Sequence, residues 1–403
     1  MKIGFFVQNY KRGGIDTFIK NLFSSQWKND EIFIIYNKKN PGISLLKKKL
    51  KNVNFTSYSI FSLEEFINNE NQKIPLVFLK ILYSVIFPLT FIHQVKKTYV
   101  ILKKLNLHKL MLINGGYPGG DIVLAAAISW SKINNKNKAW LNFHNFALKK
   151  NNFILMNIFK NYIDKIILRS VSGFVSVSKI SSLSIKVRKN LKFLSPLKIY
   201  NGHDLLRHSN KRINLKKKFK LKNNSKILMM LAEYDTRKGH TFIIKCMEQL
   251  INKNKNIYLL IFGDGDKKLI QNMVFNSSAK NHIILNNYRA NNISLLTEAD
   301  IVVVPSQKYE SFGYTAIESM SLKKLVVATK CGGLTEVIQD KKSGFLVDMK
   351  NYRLFAKRIL FLLDNPHIKK KMEANAFKRY LKYFTAKKMV NSYQNLIRFN
   401  KIK

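Results

Sequence analysis

The feature that most constrains this chain is an alternation run through twice. Short apolar runs, several ending in glycine, alternate with helix-like stretches. In the first cycle KIGFFVQ, Lys2 to Gln8, leads into the turn Lys11-Arg12-Gly13-Gly14 and then helix-like IDTFIKNLF. EIFIIYN and NVNFTSYSI read as second and third strands. HKLMLINGG is another, ending in glycines before the alanine-rich DIVLAAAISW, and KAWLNFHN and GFVSVS (Gly173 to Ser178) add two more. Unbroken apolar runs are what strands buried on both faces require, so a parallel sheet covered by helices is expected.

The second cycle begins after a basic, polar segment from about His203 to Ser225. KILMMLAEY, NIYLLIFGDG, HIILNNY, DIVVVPS, LVVATKCGG and SGFLVD read as strands, with HTFIIKCMEQL, ISLLTEA, YTAIESMSLKK and LTEVIQD between them as helices. The expected class is α/β, with two Rossmann-like domains over residues 1–200 and 201–385. Residues 386–403 are expected to form a C-terminal helix that packs back on the first domain. From about His367 the tail reads as helical and lysine-rich, with no strong core signal of its own.

Charge narrows the partners. Seventy-one Lys and Arg against 23 Asp and Glu leave a formal charge of +48, which favours anionic partners. One reading is a general lysine bias that only solvates the surface. Another is peripheral recruitment to an anionic membrane. Nucleic acid is disfavoured, because there is no zinc-finger spacing, no RNP-like strand and no basic helix–turn–helix. The runs Lys47-Lys48-Lys49 and Lys216-Lys217-Lys218 read as loops or linkers. IPLVFLKILYSVIFPLTFIH, Ile74 to His93, approaches membrane-spanning length, but Lys80 and Pro88 interrupt it. A buried or interfacial helix is the expectation there. Cys246 and Cys331 make neither a metal motif nor a disulfide framework, which suits a reducing compartment. The N-terminus turns polar too soon for a secretory signal.

Parallel sheets of this kind place ligands beyond the carboxyl ends of their strands. The loops there carry Gly13-Gly14, Gly115-Gly116, Gly263 to Gly265, Ser306 to Gly313 and Gly332-Gly333. No GxGxxG is present, which weakens a dinucleotide reading. In PSQKYESFGYTAIESM, Glu310 lies in a loop after a strand, and Glu318 lies about one turn into the next helix. Amides near Gly313, Tyr314 and Thr315 would form that helix's N-terminus, an end suited to a diphosphate. Carboxylates on either side suit hydroxyl recognition, because they only accept hydrogen bonds. The alternative is that both acids merely favour the helix dipole. Asp264-Gly265-Asp266 spells a metal-binding Asp-x-Asp, but it sits in a glycine turn without further ligands, so no metal is expected.

These segments together resemble the retaining nucleotide-sugar glycosyltransferases of family 4, which have the GT-B fold. Glu310 and Glu318, with seven residues between them in ESFGYTAIE, match that family's pair of glutamates. TRKGH, IFGDGD, NNYRANNISLLTEADIVVVPS, GG.TEVI and GFLV match in order, and GGI, INGGYPGG and IYNGHD do so more loosely in the first half. The resemblance implies two Rossmann-like domains facing across a cleft, with transfer of a sugar from a nucleoside-diphosphate donor, UDP-linked by preference. The configuration would be retained, without a metal or other cofactor and without a covalent glycosyl-enzyme. It implies catalytic roles for Glu310, His144, Arg237 and Lys238. It implies donor contacts for Gly13, Gly14, Arg237, Lys238, Gly263, Tyr288, Gly313, Tyr314, Thr315 and Glu318, with Glu318 on the ribose. The chain departs from the family at Glu233, where many members carry an arginine, and Arg237 is read as the compensation. The acceptor is expected to be a hydroxyl of a cell-surface glycan or lipid-linked sugar, at the cytoplasmic face of the cell membrane. A nucleotide-sugar epimerase and a non-catalytic sugar-binding subunit of the same fold are the alternatives.

Overall fold

A computed structural model describes residues 1–24, 27, 29–62, 65, 76–148, 154–205, 213–254, 256–287 and 292–400. They form two compact units. The first comprises Met1–Tyr200 with Ala386–Lys403, the second Asn201–Thr385.

In the first unit seven strands form one sheet: β1 (Lys2–Val7), β2 (Glu31–Asn37), β3 (Asn54–Tyr58), β4 (Lys109–Asn114), β5 (Ala139–Phe143), β6 (Val171–Ser176) and β7 (Leu197–Lys198). Their order is β3-β2-β1-β4-β5-β6-β7, and neighbours run parallel. The second unit holds β8 (Lys226–Leu231), β9 (Ile257–Gly263), β10 (Ile283–Asn287), β11 (Ile301–Val304), β12 (Val326–Thr329) and β13 (Phe345–Val347), in the order β10-β9-β8-β11-β12-β13. Each sheet thus reverses direction beside its first strand, at β1/β4 and at β8/β11. That reversal defines a doubly wound sheet and opens a crevice at the carboxyl ends of the two strands flanking it. The strands read from the sequence are all present; the central ones are buried on both faces, β8 with only its end residues Lys226 and Leu231 less covered, while the edge strands β3 and β10 are mostly half-buried or exposed.

Each unit has its own core. Phe6, Leu112, Trp130, Leu141 and Phe143 centre the first, and Leu228, Ile243, Met247, Leu259, Val303 and Phe355 the second. The helix Leu76–Leu105 carries Pro88 in its interior and buries Phe87, Phe91 and Leu102. Among the described residues no helix is long and apolar enough to cross a membrane.

Two local expectations are corrected. The lysine runs at 47–49 and 216–218 lie in the short helices Ile43–Lys49 and Leu215–Lys218, where Leu46 and Leu215 supply the buried anchor. The tail does have a core face. In Ala386–Phe399 the residues Met389, Val390, Tyr393, Leu396 and Ile397 recur at helical spacing and are buried, while Lys387, Lys388 and Asn391 are exposed. Tyr393 Oη accepts from Asn142 Nδ2 at 2.6 Å, and Arg398 pairs with Asp30, so this helix is tied into the first unit.

Candidate functional site

In the second unit the segments after β8 and β11 meet at the sheet's reversal. After β8 the chain turns at Asp235, whose carboxylate accepts from the Arg237 amide at 2.7 Å and opens a short 3-10 turn, Thr236–Lys238. Gly239 ends that turn at φ +83°, and a Cβ there would collide with the Pro305 carbonyl oxygen. The backbone can therefore approach the segment after β11, and Gln307 N–H donates to the Arg237 carbonyl at 2.8 Å. The turn after β9 is pinned alongside. Gly263 packs against the Ala232 carbonyl, and Tyr234 N–H donates to the Asp264 carbonyl at 2.6 Å.

This arrangement puts Lys238 on Glu310. Their contact is 2.9 Å, and Ser306 Oγ donates to the same carboxylate oxygen at 2.9 Å. Burial works to raise the Glu310 carboxyl, but the Lys238 ammonium and the hydrogen bonds from Lys238 and Ser306 outweigh it. The group is held below the ordinary glutamate range and stays ionised. Gly333 N–H donates to the Glu310 carbonyl at 2.7 Å, which fastens the loop after β12 to the same place.

Gly313, at φ +106°, caps the helix Tyr314–Ser321. Ala316 and Ile317 both donate to its carbonyl, and a Cβ at Gly313 would crowd Leu334. The amides of Tyr314 and Thr315 precede these bonds at the positive end of the helix. Glu318 is not in the first turn of this helix, and Glu310 is not in the helix at all. The dipole explanation therefore does not account for either acid. Glu318 is buried and its Oε1 lies 3.6 Å from His203 Nε2.

Arg237 sits beside Lys238 but between carboxylates, 3.3 Å from Asp235 and 3.4 Å from Glu233. Glu233 thus engages Arg237 directly. Asp266, half of the Asp-x-Asp, accepts from the Leu269 amide at 3.1 Å as the cap of the helix Lys267–Phe275. Among the described residues no cluster of His, Cys, Asp or Glu is suited to a metal. Gly263, Arg237, Lys238, Glu310, Gly313, Tyr314, Thr315 and Glu318 therefore belong to strand ends, turns and the helix Tyr314–Ser321 of one unit. Tyr288 lies outside the described residues.

Gly13, Gly14 and His144 belong to the first unit. Asp16 reaches back to accept the Gly13 amide at 2.9 Å, which leaves Gly14 as the residue of the pair whose amide that carboxylate does not take. Among the described residues nothing lies within 4 Å of where a Cβ on Gly13 would be, so packing against them does not explain the glycine. His144 follows β5, with its ring centroid 4.2 Å from that of Phe18. Both ring nitrogens are buried, and neither has a hydrogen-bond partner among the described residues. Burial lowers the imidazole to about 3, so the ring is neutral near pH 7. A strand-end histidine satisfied by its own fold would bond at least one nitrogen, and this one does not.

Ser306 and Asp235, which position Glu310 and Arg237, were not singled out in the sequence. Ser306 marks only the start of the Ser306 to Gly313 loop, and Asp235 stands two residues before Arg237 with no signal of its own. His203 lay in the matched segment IYNGHD, but nothing local joined it to Glu318.

Residues 211–379 match the family described as glycosyl transferases group 1. Among curated proteins, the uncharacterized glycosyltransferase MJ1607 of Methanocaldococcus jannaschii is 27% identical over 49% of this chain and 53% of its own length. The N-acetyl-alpha-D-glucosaminyl L-malate synthase of Bacillus anthracis is 25% identical over 45% and 48%. The chain thus spans about half the length of these curated relatives. Among solved structures, a glycosyltransferase from Rickettsia africae superposes with a TM-score of 0.77 at 21% identity, covering 99% of both chains. Anabaena HepE in complex with UDP superposes with a TM-score of 0.74 at 16% identity, covering 98% of this chain and 99% of its own. What these solved structures share with the chain is its architecture, two doubly wound α/β domains of the GT-B type.

Proposed function

We propose that this GT-B protein is a retaining glycosyltransferase that moves a sugar from a UDP-linked donor to a hydroxyl of a cell-surface glycan or lipid-linked sugar. The observation that carries the reading is the Lys238–Glu310–Ser306 cluster at the β8/β11 reversal, beside the helix that bears Glu318. It lies inside the segment matched to the group 1 transferases. Solved relatives of the same fold are described as complexes with UDP and UDP-glucose, which favours a uridine nucleotide.

In this reading the donor diphosphate sits on the amides of Gly313, Tyr314 and Thr315, with Arg237 and Lys238 beside it. The bond between the anomeric carbon and the phosphate oxygen breaks as the acceptor oxygen attacks from the same face. The acceptor proton passes to the departing phosphate oxygen. Arg237 and Lys238 offset the charge that develops there, which is worth most where water is excluded. Glu310 accepts hydrogen bonds from the sugar hydroxyls. Gly14 and neutral His144 are assigned to the first unit's contribution, as close backbone approach and as a hydrogen-bonding ring. No metal is required, since two cations already stand where leaving-group charge would appear.

The reading includes the inner face of the cell membrane. Helix Leu76–Leu105 contains no acidic residue, and Val85, Leu89, Ile92 and Val100 form an exposed stripe along it with Lys96 and Lys103. Ring contact between Phe87 and Phe159, at 5.5 Å, joins it to Ile154–Ser170, which exposes Ile158 and Tyr162. The one acid of that second helix, Asp164, is buried against Arg188. An apolar stripe edged by lysines suits an anionic lipid surface.

The test is a donor screen by ligand-induced thermal stabilisation with UDP-glucose, UDP-galactose, UDP-GlcNAc and GDP-mannose, with and without EDTA, on wild type and Glu318→Ala. A bound donor raises the melting temperature by mass action. Stabilisation by a UDP-sugar, unchanged by EDTA and lost in Glu318→Ala, is expected. A cooperatively melting protein that responds to no donor refutes the proposal.

A further inference from the structure

His144 has no hydrogen bond to hold its ring among the described residues, since both buried nitrogens lack a partner there. Its backbone is fixed, because its N–H donates to the Asn114 carbonyl at 3.0 Å. The direction of the ring is therefore left to packing. The imidazole rests on Phe18, with 4.2 Å between ring centroids and 55° between planes. Phe18 is fully buried on the helix Gly14–Leu22, about one turn after Gly14. It meets in turn the ring of Tyr393, at 5.4 Å and 66°. Tyr393 comes from the helix Ala386–Phe399 and is also fully buried.

What fixes Tyr393 is a polar group inside the sheet. Asn142 is buried in β5, two residues before His144, and residues two apart in an extended strand share a face. Asn142 Nδ2 donates to Tyr393 Oη at 2.6 Å. An amide buried in a strand is costly unless it is bonded, and an apolar residue at that position would avoid the cost. The bond specifies one seating of the last helix, because a slip of one residue turns a helix by about 100° and carries Oη away. Asn142 thus sets Tyr393, Tyr393 backs Phe18, and Phe18 sets the imidazole. All of these residues belong to the first unit.

We propose that Tyr393 is a positioning residue for the transfer reaction: held by Asn142, it backs Phe18 and so fixes the direction in which His144 presents its ring nitrogens. The inference rests on the proposed role of His144 as the ring that hydrogen-bonds the transferred sugar. Tyr393 is fully buried and acts only through Phe18. Without the Tyr393 ring, Phe18 gains room to tilt, and the imidazole resting on it tilts too. Hydrogen bonds weaken steeply as they lose alignment, so a small tilt is enough to lose a contact to the sugar.

The experiment is calorimetric titration of the full chain with UDP and with whichever of UDP-glucose, UDP-galactose and UDP-GlcNAc stabilises it most. Wild type, Tyr393→Phe, Tyr393→Leu, Phe18→Leu and His144→Ala are compared, each with its melting temperature. Tyr393→Leu is expected to weaken the UDP-sugar about three- to tenfold and to leave UDP, which lacks the sugar, unchanged. Phe18→Leu, which removes the ring between Tyr393 and His144, is expected to show the same pattern and serves if Tyr393→Leu does not fold. Tyr393→Phe loses the bond to Asn142 but keeps the ring on Phe18. It is expected to melt below wild type and still bind the UDP-sugar as wild type does. A purely structural role makes sugar affinity follow the melting temperature in every variant, and that result overturns the inference. So does equal weakening of UDP and UDP-sugar in Tyr393→Leu and Phe18→Leu. His144→Ala separates the two levels. If it leaves UDP-sugar binding unchanged, or if no UDP-sugar binds at all, the role of His144 fails and the inference falls with it. If it weakens the UDP-sugar while Tyr393→Leu and Phe18→Leu do not, only the inference falls.

Discussion

Replacing Glu310 by Gln removes one charge from a partly sheltered ion pair and changes little else. Lys238 then faces a neutral amide oxygen. Breaking a fully buried pair by removing one partner costs about 3–5 kcal/mol, and a surface pair is worth about 0–1 kcal/mol. Here the side chains are 21% and 13% exposed, with a contact of 2.9 Å and a second hydrogen bond from Ser306, so about 2 kcal/mol is expected at pH 7. For a domain of this size that lowers the melting temperature by about 4–8 °C. The sign with pH follows from the lowered Glu310 carboxyl. Its contribution is present above the unfolded value, about 4.3, and is lost as pH falls through the folded one. The gap between wild type and Glu310→Gln should therefore close toward acid pH. Scanning calorimetry at pH 7.5 and pH 4 reads it. All three tryptophans, Trp27, Trp130 and Trp140, lie in the first unit, so the shift should appear in the calorimetric transition and not in tryptophan emission. An equal cost at both pH values, or none at pH 7.5, would show that the Lys238–Glu310 charge pair is not what holds these segments together.

Three further outcomes are expected. Burial keeps folded His144 neutral down to about 3, while the unfolded chain binds a proton there below about 6.5; the first unit thus loses stability as pH falls through that window, and His144→Gln should remove up to about 1.4 kcal/mol per pH unit of this slope in urea melts followed by tryptophan emission. Gly239→Ala places a Cβ against the Pro305 carbonyl in a left-handed residue and should cost about 2 kcal/mol or more; a neutral effect in calorimetry would mean that the turns after β8 and β11 are not tightly apposed. Leu89, 72% exposed, should be replaceable by Asp without loss of fold, while co-sedimentation with phosphatidylglycerol vesicles drops severalfold; binding that is unaffected by Leu89→Asp and equally lost in high salt would reduce the contact to adsorption of a highly cationic chain.

Local pattern determined the architecture. Every strand that was read is present; the central strands β1 and β8 are apolar between their ends because they are buried on both faces, whereas the edge strand β3 keeps polar, partly exposed residues. Turn chemistry was legible for a similar reason. Gly239 and Gly313 adopt positive φ where the chain must double back, and only glycine does so without strain. The core face of the tail was not read, although Met389, Val390, Tyr393, Leu396 and Ile397 keep helical spacing, because the lysine-rich stretch ahead of them dominates the composition.

Long-range pairing was decided by tertiary structure alone. Lys238 and Glu310 lie 72 residues apart in sequence and touch only because β8 and β11 are neighbours in the sheet. The sequence order of strands does not state that neighbourhood; the crossover at the sheet's reversal does. Glu233 reads in the sequence as a missing cation, and only the folded turn makes it a partner of Arg237. His144 is an ordinary histidine on paper, and its lowered proton affinity comes from burial beside Phe18. His203 and Glu318 are brought together by the second unit's packing, with Tyr380 and Phe384 holding the ring in place. Residue type and spacing specify which groups are on offer, whereas charge, tautomer and proton affinity depend on what the fold sets beside them.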